Sequence, residues 1–250
     1  MPAEKNLRNN CRVTITAHVW QLDTCRLKLD ESANFRGLRY SFAMDRHGQI
    51  LEVWFADVVA HPENMRGRFG YWFGSDEDTA DSIKARDEWL THRFLHDVEL
   101  ASTGQLEGWE RTPRGRLSLI ILLDQFRRNI FRGTAQAFSH DMQALDLAVA
   151  GLRLGADEQL APVERIFFYM PFQHSENPAV QQESVTLFEE LAAEAGPANA
   201  AEYAEVLRFA RMHRDIIRQF GRFPHRNRVL GRASTPAELS FLSKSANDIG

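Results

Sequence analysis

Seven arginines and two histidines fall between Arg211 and Arg232, against a single acid, Asp215. The chain of 250 residues has a formal net charge of -4, so this basic run does not follow from overall composition. Guanidinium groups clamp carboxylates and phosphates and stay charged at any working pH. Imidazole moves a proton near neutrality. Apolar and aromatic residues interrupt the run, which implies partly buried arginines, and a buried cation needs an anion or carboxylate beside it. Phe223-Pro224 turns the chain. Arg222 stands just before that turn, and His225, Arg226 and Asn227 follow it in a constrained loop ahead of Leu230, Gly231 and Arg232.

A second constellation is Asp124, Arg127, Arg128, Asn129 and Arg132. Asp124 and Arg128 are four residues apart and share one face of a helix. Asp124 follows an apolar run, so its carboxylate starts inside the protein and Arg128 can supply a planar fork. Two readings stand: an ion pair that orients helices, or an Asp124 that fixes Arg128 so that its free edge meets a ligand. Asn129 is counted with this candidate ligand-binding group. Arg114 and Arg116 lie upstream and either widen the basic surface or are solvated at a helix start.

A third constellation is His174, Ser175, Glu176 and Asn177, enclosed by Pro171 and Pro178. The prolines suggest a rigid loop after an apolar helix ending at Met170. His174 and Glu176 suit a proton-transfer pair, ligand binding or, more weakly, a metal, while Ser175 or Asn177 suits a helix N-cap. His213, four residues before Ile217, reads as a satisfied core histidine or as part of the basic site. No serine has the setting of an activated nucleophile, since Ser175 directly follows His174 and Ser118 and Ser184 have only helical surroundings.

The leading functional expectation is a pocket that binds a small anionic metabolite through Arg114, Asp124, Arg128, Asn129, Arg222, Arg226, Asn227 and Arg232. Arg222, His225 and Arg128 are expected to approach one concave site. A second expectation is a hydrolase or transferase for an anionic substrate, with His225 or His174 as acid or base and Glu176 as orienter. A third is a protein- or peptide-interaction module with an apolar groove away from the arginines. Nucleic acid is disfavoured, because it needs a broad exposed basic stripe and the net charge is negative. No glycine-rich nucleotide fingerprint or Walker motif is present, and no metal or cofactor is expected.

Helices must position these groups. Ile50, Leu51, Trp54 and Phe55 form a compact apolar face. A helix over about 78–102, capped by the acidic stretch 75–78, is expected to bury Ile83, Trp89, Leu90, Phe94, Val98 and Leu100. Pro113 suits the first turn of the next helix, which ends near Phe131 with Gly133 as a stop. Leu117 to Leu123 make that helix apolar all round, hence central. Further helices are expected at 138–151, 162–169, 178–195, 200–220 and 236–244, the last opened by a Thr235–Glu238 capping box. Residues 1–49 read as a poorly ordered or hairpin-like extension, with Val13–Trp20 and Arg26–Asp30 as weak strand candidates. Residues 50–250 read as one all-helical domain.

Hydrophobic residues make up 44% and charged residues 26%, as in ordinary soluble globular chains. No apolar run reaches membrane-spanning length; Leu117 to Leu123 stops at Asp124. The N-terminus carries charges where a secretory leader needs an apolar stretch, so the expected location is cytoplasmic. The two cysteines, Cys11 and Cys25, suggest neither a disulfide framework nor a zinc site.

Residues from about 50 to 243 resemble a bacterial family of uncharacterised proteins, domain of unknown function 924. The resemblance rests on Trp54-Phe55, on Thr112 through Phe126 continuing from Arg128 to Thr134, and on His174, Ser175 and Glu176 with Gln181. It also rests on Phe220 through Asn227 with Leu230, Gly231, Arg232 and Ser234 to Pro236. It implies a tetratricopeptide-like array of packed helical pairs, irregular in length, in agreement with the all-α reading. It carries no accepted reaction. It implies that Arg128, His174, Glu176, Arg222, His225, Arg226 and Asn227 belong to the family's characteristic polar set. Arg127 stands where the family pattern has proline, and Ala233 where an acidic residue is common, leaving Arg232 one fewer possible partner.

Overall fold

The computed structural model describes residues 45–244. The strand candidates and both cysteines lie outside them. Among the described residues the secondary structure is helical, without strands. Helix α1 (Arg46–Phe55) buries Ile50, Leu51, Trp54 and Phe55, the face read from the sequence. It begins four residues before the expected domain start, and the Arg46 guanidinium anchors it to Asp97. Helix α2 (Met65–Phe73) ends at Gly74.

Helix α3 (Ala80–Ser102) is capped by Thr79, not by the acidic stretch before it. The Thr79 hydroxyl accepts from Ser82 N–H, and the Ser82 hydroxyl accepts from Thr79 N–H, a reciprocal box that satisfies two otherwise orphaned donors. Its buried face is Leu90, Phe94, Asp97, Val98 and Ala101. Trp89 is 49% exposed, so the expectation that it faces the core is corrected. One residue before Leu90, it is rotated off the stripe that Leu90, Phe94, Val98 and Ala101 share.

The central helix opens with α4 (Pro113–Ile120), passes through a π-helical segment (Ile121–Phe126) and ends as α5 (Arg127–Ile130). Leu117 and Leu119 to Leu123 are all at most 3% exposed, as a helix apolar on every side requires. Arg116, read as surface, is buried; it donates to the backbone oxygens of Leu147 and Glu110. Helix α6 (Asp141–Arg153) follows a 3-10 turn at Ala135–Phe138 and starts later than expected.

Helix α7 (Pro162–Gln173) carries Pro171 inside its last turn, which corrects the expectation that the helix stops at Met170. A proline there forfeits one backbone hydrogen bond, and near a C-terminus little helix remains to be disrupted. Burial of Phe167, Phe168, Met170 and Phe172 holds the turn in place. Residues 174–177 then form the loop, and Asn177 caps α8 (Pro178–Glu194) through Ala179 N–H. Helix α9 (Ala200–Phe220) ends at Gly221, whose φ of 68° is the left-handed cap that glycine accepts without strain. Helix α10 (Pro236–Lys244) opens with the expected box: Thr235 N–H donates to Glu238 Oε2, and Glu238 N–H donates to Thr235 Oγ1.

Helices α7, α8 and α9 pack in succession, while α4 packs against α1, α6 and α7. Trp54 meets Phe167 edge-on at 5.2 Å between ring centroids, tying α1 to α7. Such a pair adds about 0.5–1.5 kcal/mol beyond its buried area. Among the described residues no helix is long and apolar enough to cross a membrane.

Candidate functional site

The π-helical segment carries a carboxylate into the core. Asp124 is fully buried and lies at the meeting point of the central helix and the end of α7. Its Oδ1 accepts from His174 Nδ1 at 2.7 Å and pairs with Arg128 Nη1 at 3.0 Å; Gln125 Nε2 donates to Oδ2. A π turn widens the helix and re-aims the side chains on it, and such turns recur at functional sites. Burial opposes the Asp124 charge, but Arg128 and His174 outweigh it and hold the carboxyl below its usual range. The ionised carboxylate therefore takes the Nδ1–H of His174. That leaves Nε2 as an acceptor, without a partner among the described residues. Burial and the charge of Arg128 push the His174 imidazole below its ordinary range, so it stays neutral.

Arg128 extends the chain of charges. Its two terminal nitrogens bind both oxygens of Asp141 at 3.0 Å each, in the first turn of α6. Asp141 Oδ2 also accepts from Arg226 Nη1 at 3.0 Å. Arg226 comes from the 3-10 turn at Pro224–Arg226, and its guanidinium lies between Phe138 at 4.7 Å and Phe223 at 4.5 Å. It is 6% exposed, and its Nε is buried without a partner among the described residues. Burial and the nearby Arg128 push its pKa down to about 10.

Glu176 does not orient His174; Asp124 does. Glu176 instead binds Arg232 through both oxygens, at 2.8 and 3.0 Å, and accepts Phe223 N–H at 2.8 Å. Arg232 also donates to Phe223 O. This clamp ties the 174–177 loop to the segment after α9, and it gives Arg232 its carboxylate although Ala233 follows it. Three histidines gather nearby: His174 and His213 are 6.3 Å apart, and both His213 and His225 contact Phe223. His213 Nδ1 donates to Phe209 O. Burial pushes His213 down to about 3 and His225 to about 4.

Some of these groups line a cleft of about 430 Å³. Asp141, His174, Ser175, Glu176 and Arg226 supply its polar side, and Phe138, Met142, Leu145, Pro171 and Leu230 its apolar side. Of the predicted ligand and catalytic residues, the structure joins Asp124, Arg128, His174 and Arg226 through Asp141, and sets the Glu176–Arg232 pair as a second unit beside the same cleft. His225 adjoins Arg226, with Nδ1 buried and unpartnered among the described residues.

The others lie apart from the cleft lining. Arg114 pairs with Glu164 at the start of α7. Asn129 donates to Asp87, which also pairs with Arg132, at a separate concavity rimmed by Lys84 and Glu88. Asn227 is buried against Ser234. Arg222 binds Glu238 and Ala233 O, so the convergence expected of Arg222, His225 and Arg128 does not include Arg222. The basic run is dispersed in the same way: Arg211 pairs with Glu189, and Arg214 and Arg218 with Asp215.

Asp141 was not singled out from the sequence, although it joins both arginines of the network. An acid in a first helical turn reads simply as a partner of the helix dipole. Its place next to His140 and three residues after Phe138 gives no local sign of Arg226, 85 residues away.

A comparison with curated proteins gives no match. A solved structure of a protein of unknown function from Agrobacterium tumefaciens is 35% identical, with a TM-score of 0.61; the match covers 76% of this chain and 99% of that one. The family model for a bacterial protein of unknown function, DUF924, matches residues 50–246. The chain belongs to that family.

Proposed function

We propose that the cleft beside His174 and Arg226 binds a small anionic metabolite. One observation carries this reading: Arg226 is a buried cation with less compensation than its neighbours. Arg128 has two carboxylates and Arg232 holds both oxygens of one, whereas Arg226 has a single bond to an Asp141 already shared with Arg128. Removing a guanidinium from water is costly unless its donors are met. A bound anion at the cleft wall would meet them, and the flanking Phe138 and Phe223 rings hold the planar group ready.

Calorimetric titration of the full chain with benzoate and with inorganic phosphate tests the reading. Saturable binding of at least one probe is expected, lost in Arg226→Met and retained in Arg114→Met. Binding that survives Arg226→Met unchanged, or no binding of either probe, would remove the proposal.

A second reading, turnover of the bound anion, is favoured by the Asp124–His174 bond. A buried carboxylate that holds Nδ1–H leaves Nε2 poised as an acid or base, the orienting role expected earlier of Glu176. Here His174→Gln would retain binding while losing any conversion detected by mass spectrometry.

A further inference from the structure

We infer that the ligand of this cleft is a monocarboxylate with an apolar body rather than a phosphate-rich or multiply charged metabolite. This rests on the proposed anion site and narrows its chemistry.

The charges of the site set the first limit. Three guanidinium groups, Arg128, Arg226 and Arg232, are matched by three carboxylates, Asp124, Asp141 and Glu176. The neighbouring histidines are neutral near pH 7, as described above. The site is therefore balanced before any ligand arrives, and two of its carboxylates, Asp141 and Glu176, line the cleft itself. A dianion or polyphosphate would meet those like charges, and such a juxtaposition is costly in a partly desolvated site. A single carboxylate matches one planar guanidinium in both charge and shape.

The opposite wall sets the second limit. Phe138, Leu145 and Pro171 continue into Met142 and Leu230, which are 66% and 36% exposed. Large apolar side chains left in water around a concave site gain when a ligand covers them. Among the described residues Met142 is one of few large apolar side chains exposed to this degree, and it stands one residue after Asp141, the carboxylate that holds Arg226. The apolar wall thus begins where the polar end stops. A ligand satisfying both ends places its carboxylate at Arg226 and its body across Met142, Leu145 and Leu230. The volume of about 430 Å³ lies toward the small end of the roughly 300–1,000 Å³ range of ligand sites, which suits a compact aryl or short alkyl group.

The test is titration of the full chain with 3-phenylpropionate, its methyl ester, acetate and inorganic phosphate. Phenylpropionate is expected to bind about tenfold or more tightly than acetate, from the apolar area it covers. The methyl ester and phosphate are expected to bind more weakly still. Met142→Ser, an exposed and uncharged change that leaves the core intact, should weaken phenylpropionate several-fold more than acetate. Arg226-dependent binding of phosphate or acetate as tight as that of phenylpropionate would overturn this inference while leaving the anion site standing. Equal affinity for ester and acid, or no Arg226-dependent binding of any probe, would overturn both.

Discussion

Asp124 Oδ1 lies 2.7 Å from His174 Nδ1, joining the π-helical turn of the central helix to the end of α7 across 50 residues of sequence. The same oxygen receives Arg128. Asp124→Asn removes the charge that Arg128 and the His174 Nδ1–H both face while nearly preserving shape. Breaking a buried pair from one side costs roughly 3–5 kcal/mol. The lower end is expected here, since Arg128 keeps Asp141. Urea denaturation measures the loss; a variant as stable as the parent would show that the buried charge contributes nothing net.

Close packing around two glycines gives a sharper contrast. A Cβ on Gly151 would lie 2.4 Å from Phe168 Cζ and 2.7 Å from Arg116 Cδ, both on buried side chains. Gly151→Ala should therefore lose about 1–3 kcal/mol through overpacking between α6 and α7. A Cβ on Gly67, an exposed position of α2, meets nothing within 4 Å, and Gly67→Ala should gain up to about 1 kcal/mol of helix propensity. Thermal melts of the two variants moving in the same direction would contradict the packing described for α6 and α7.

The local rules of the chain were largely legible. Proline at the first helical turn marks Pro113, Pro178 and Pro236, and the Thr235–Glu238 box needs only its three-residue spacing. The Asp124–Arg128 pair was readable for the same reason, since a helix brings such residues onto one face. What joins the site across sequence was not. Asp124 to His174, Arg128 to Asp141 and Arg226 to Asp141 depend on how α6, α7 and the turn after α9 dock. The π turn that re-aims Asp124 also has no mark in a run of Ile and Leu, because tertiary packing selects it. Pro171 misled for the converse reason: a local helix-breaking signal yielded to the burial of Phe168 and Phe172 around it.

The buried histidines predict an acid-sensitive fold. His213 and His225 titrate near 3 and 4 in the folded protein, against about 6.5 when unfolded. Between those limits the unfolded chain binds more protons. Stability should thus be level above about pH 6.5 and fall as pH drops below it, by up to about 1.4 kcal/mol per pH unit for each histidine. The lowered carboxyls of Asp124 and Glu176 add the same sign of loss at lower pH. His213→Gln keeps a donor for Phe209 O while removing one titrating group. Its stability-against-pH slope should be shallower than that of the parent by about one proton, as read from urea melts over the window. Identical slopes would mean that His213 protonates normally in the folded state.

Arg222 is predicted to act on the fold of the C-terminal helix rather than on the cleft. Its Nε and Nη2 reach the two oxygens of Glu238 at 2.6 and 2.8 Å, and Nη2 also donates to Ala233 O. Glu238 in turn accepts Thr235 N–H as the cap of α10, so the guanidinium fork holds the capping carboxylate in place. Without the fork, the carboxylate can swing into solvent and the first turn of α10 loses a partner. Arg222→Ala should speed amide exchange throughout Pro236–Lys244 and lower the melting temperature, while 3-phenylpropionate affinity stays at the parental value. Arg222→Lys, which keeps the charge but not the two-pronged geometry, should fall between the two. Lost ligand affinity with α10 exchange unchanged would place Arg222 in the binding site instead, because a capping role cannot alter the cleft and spare the helix it caps.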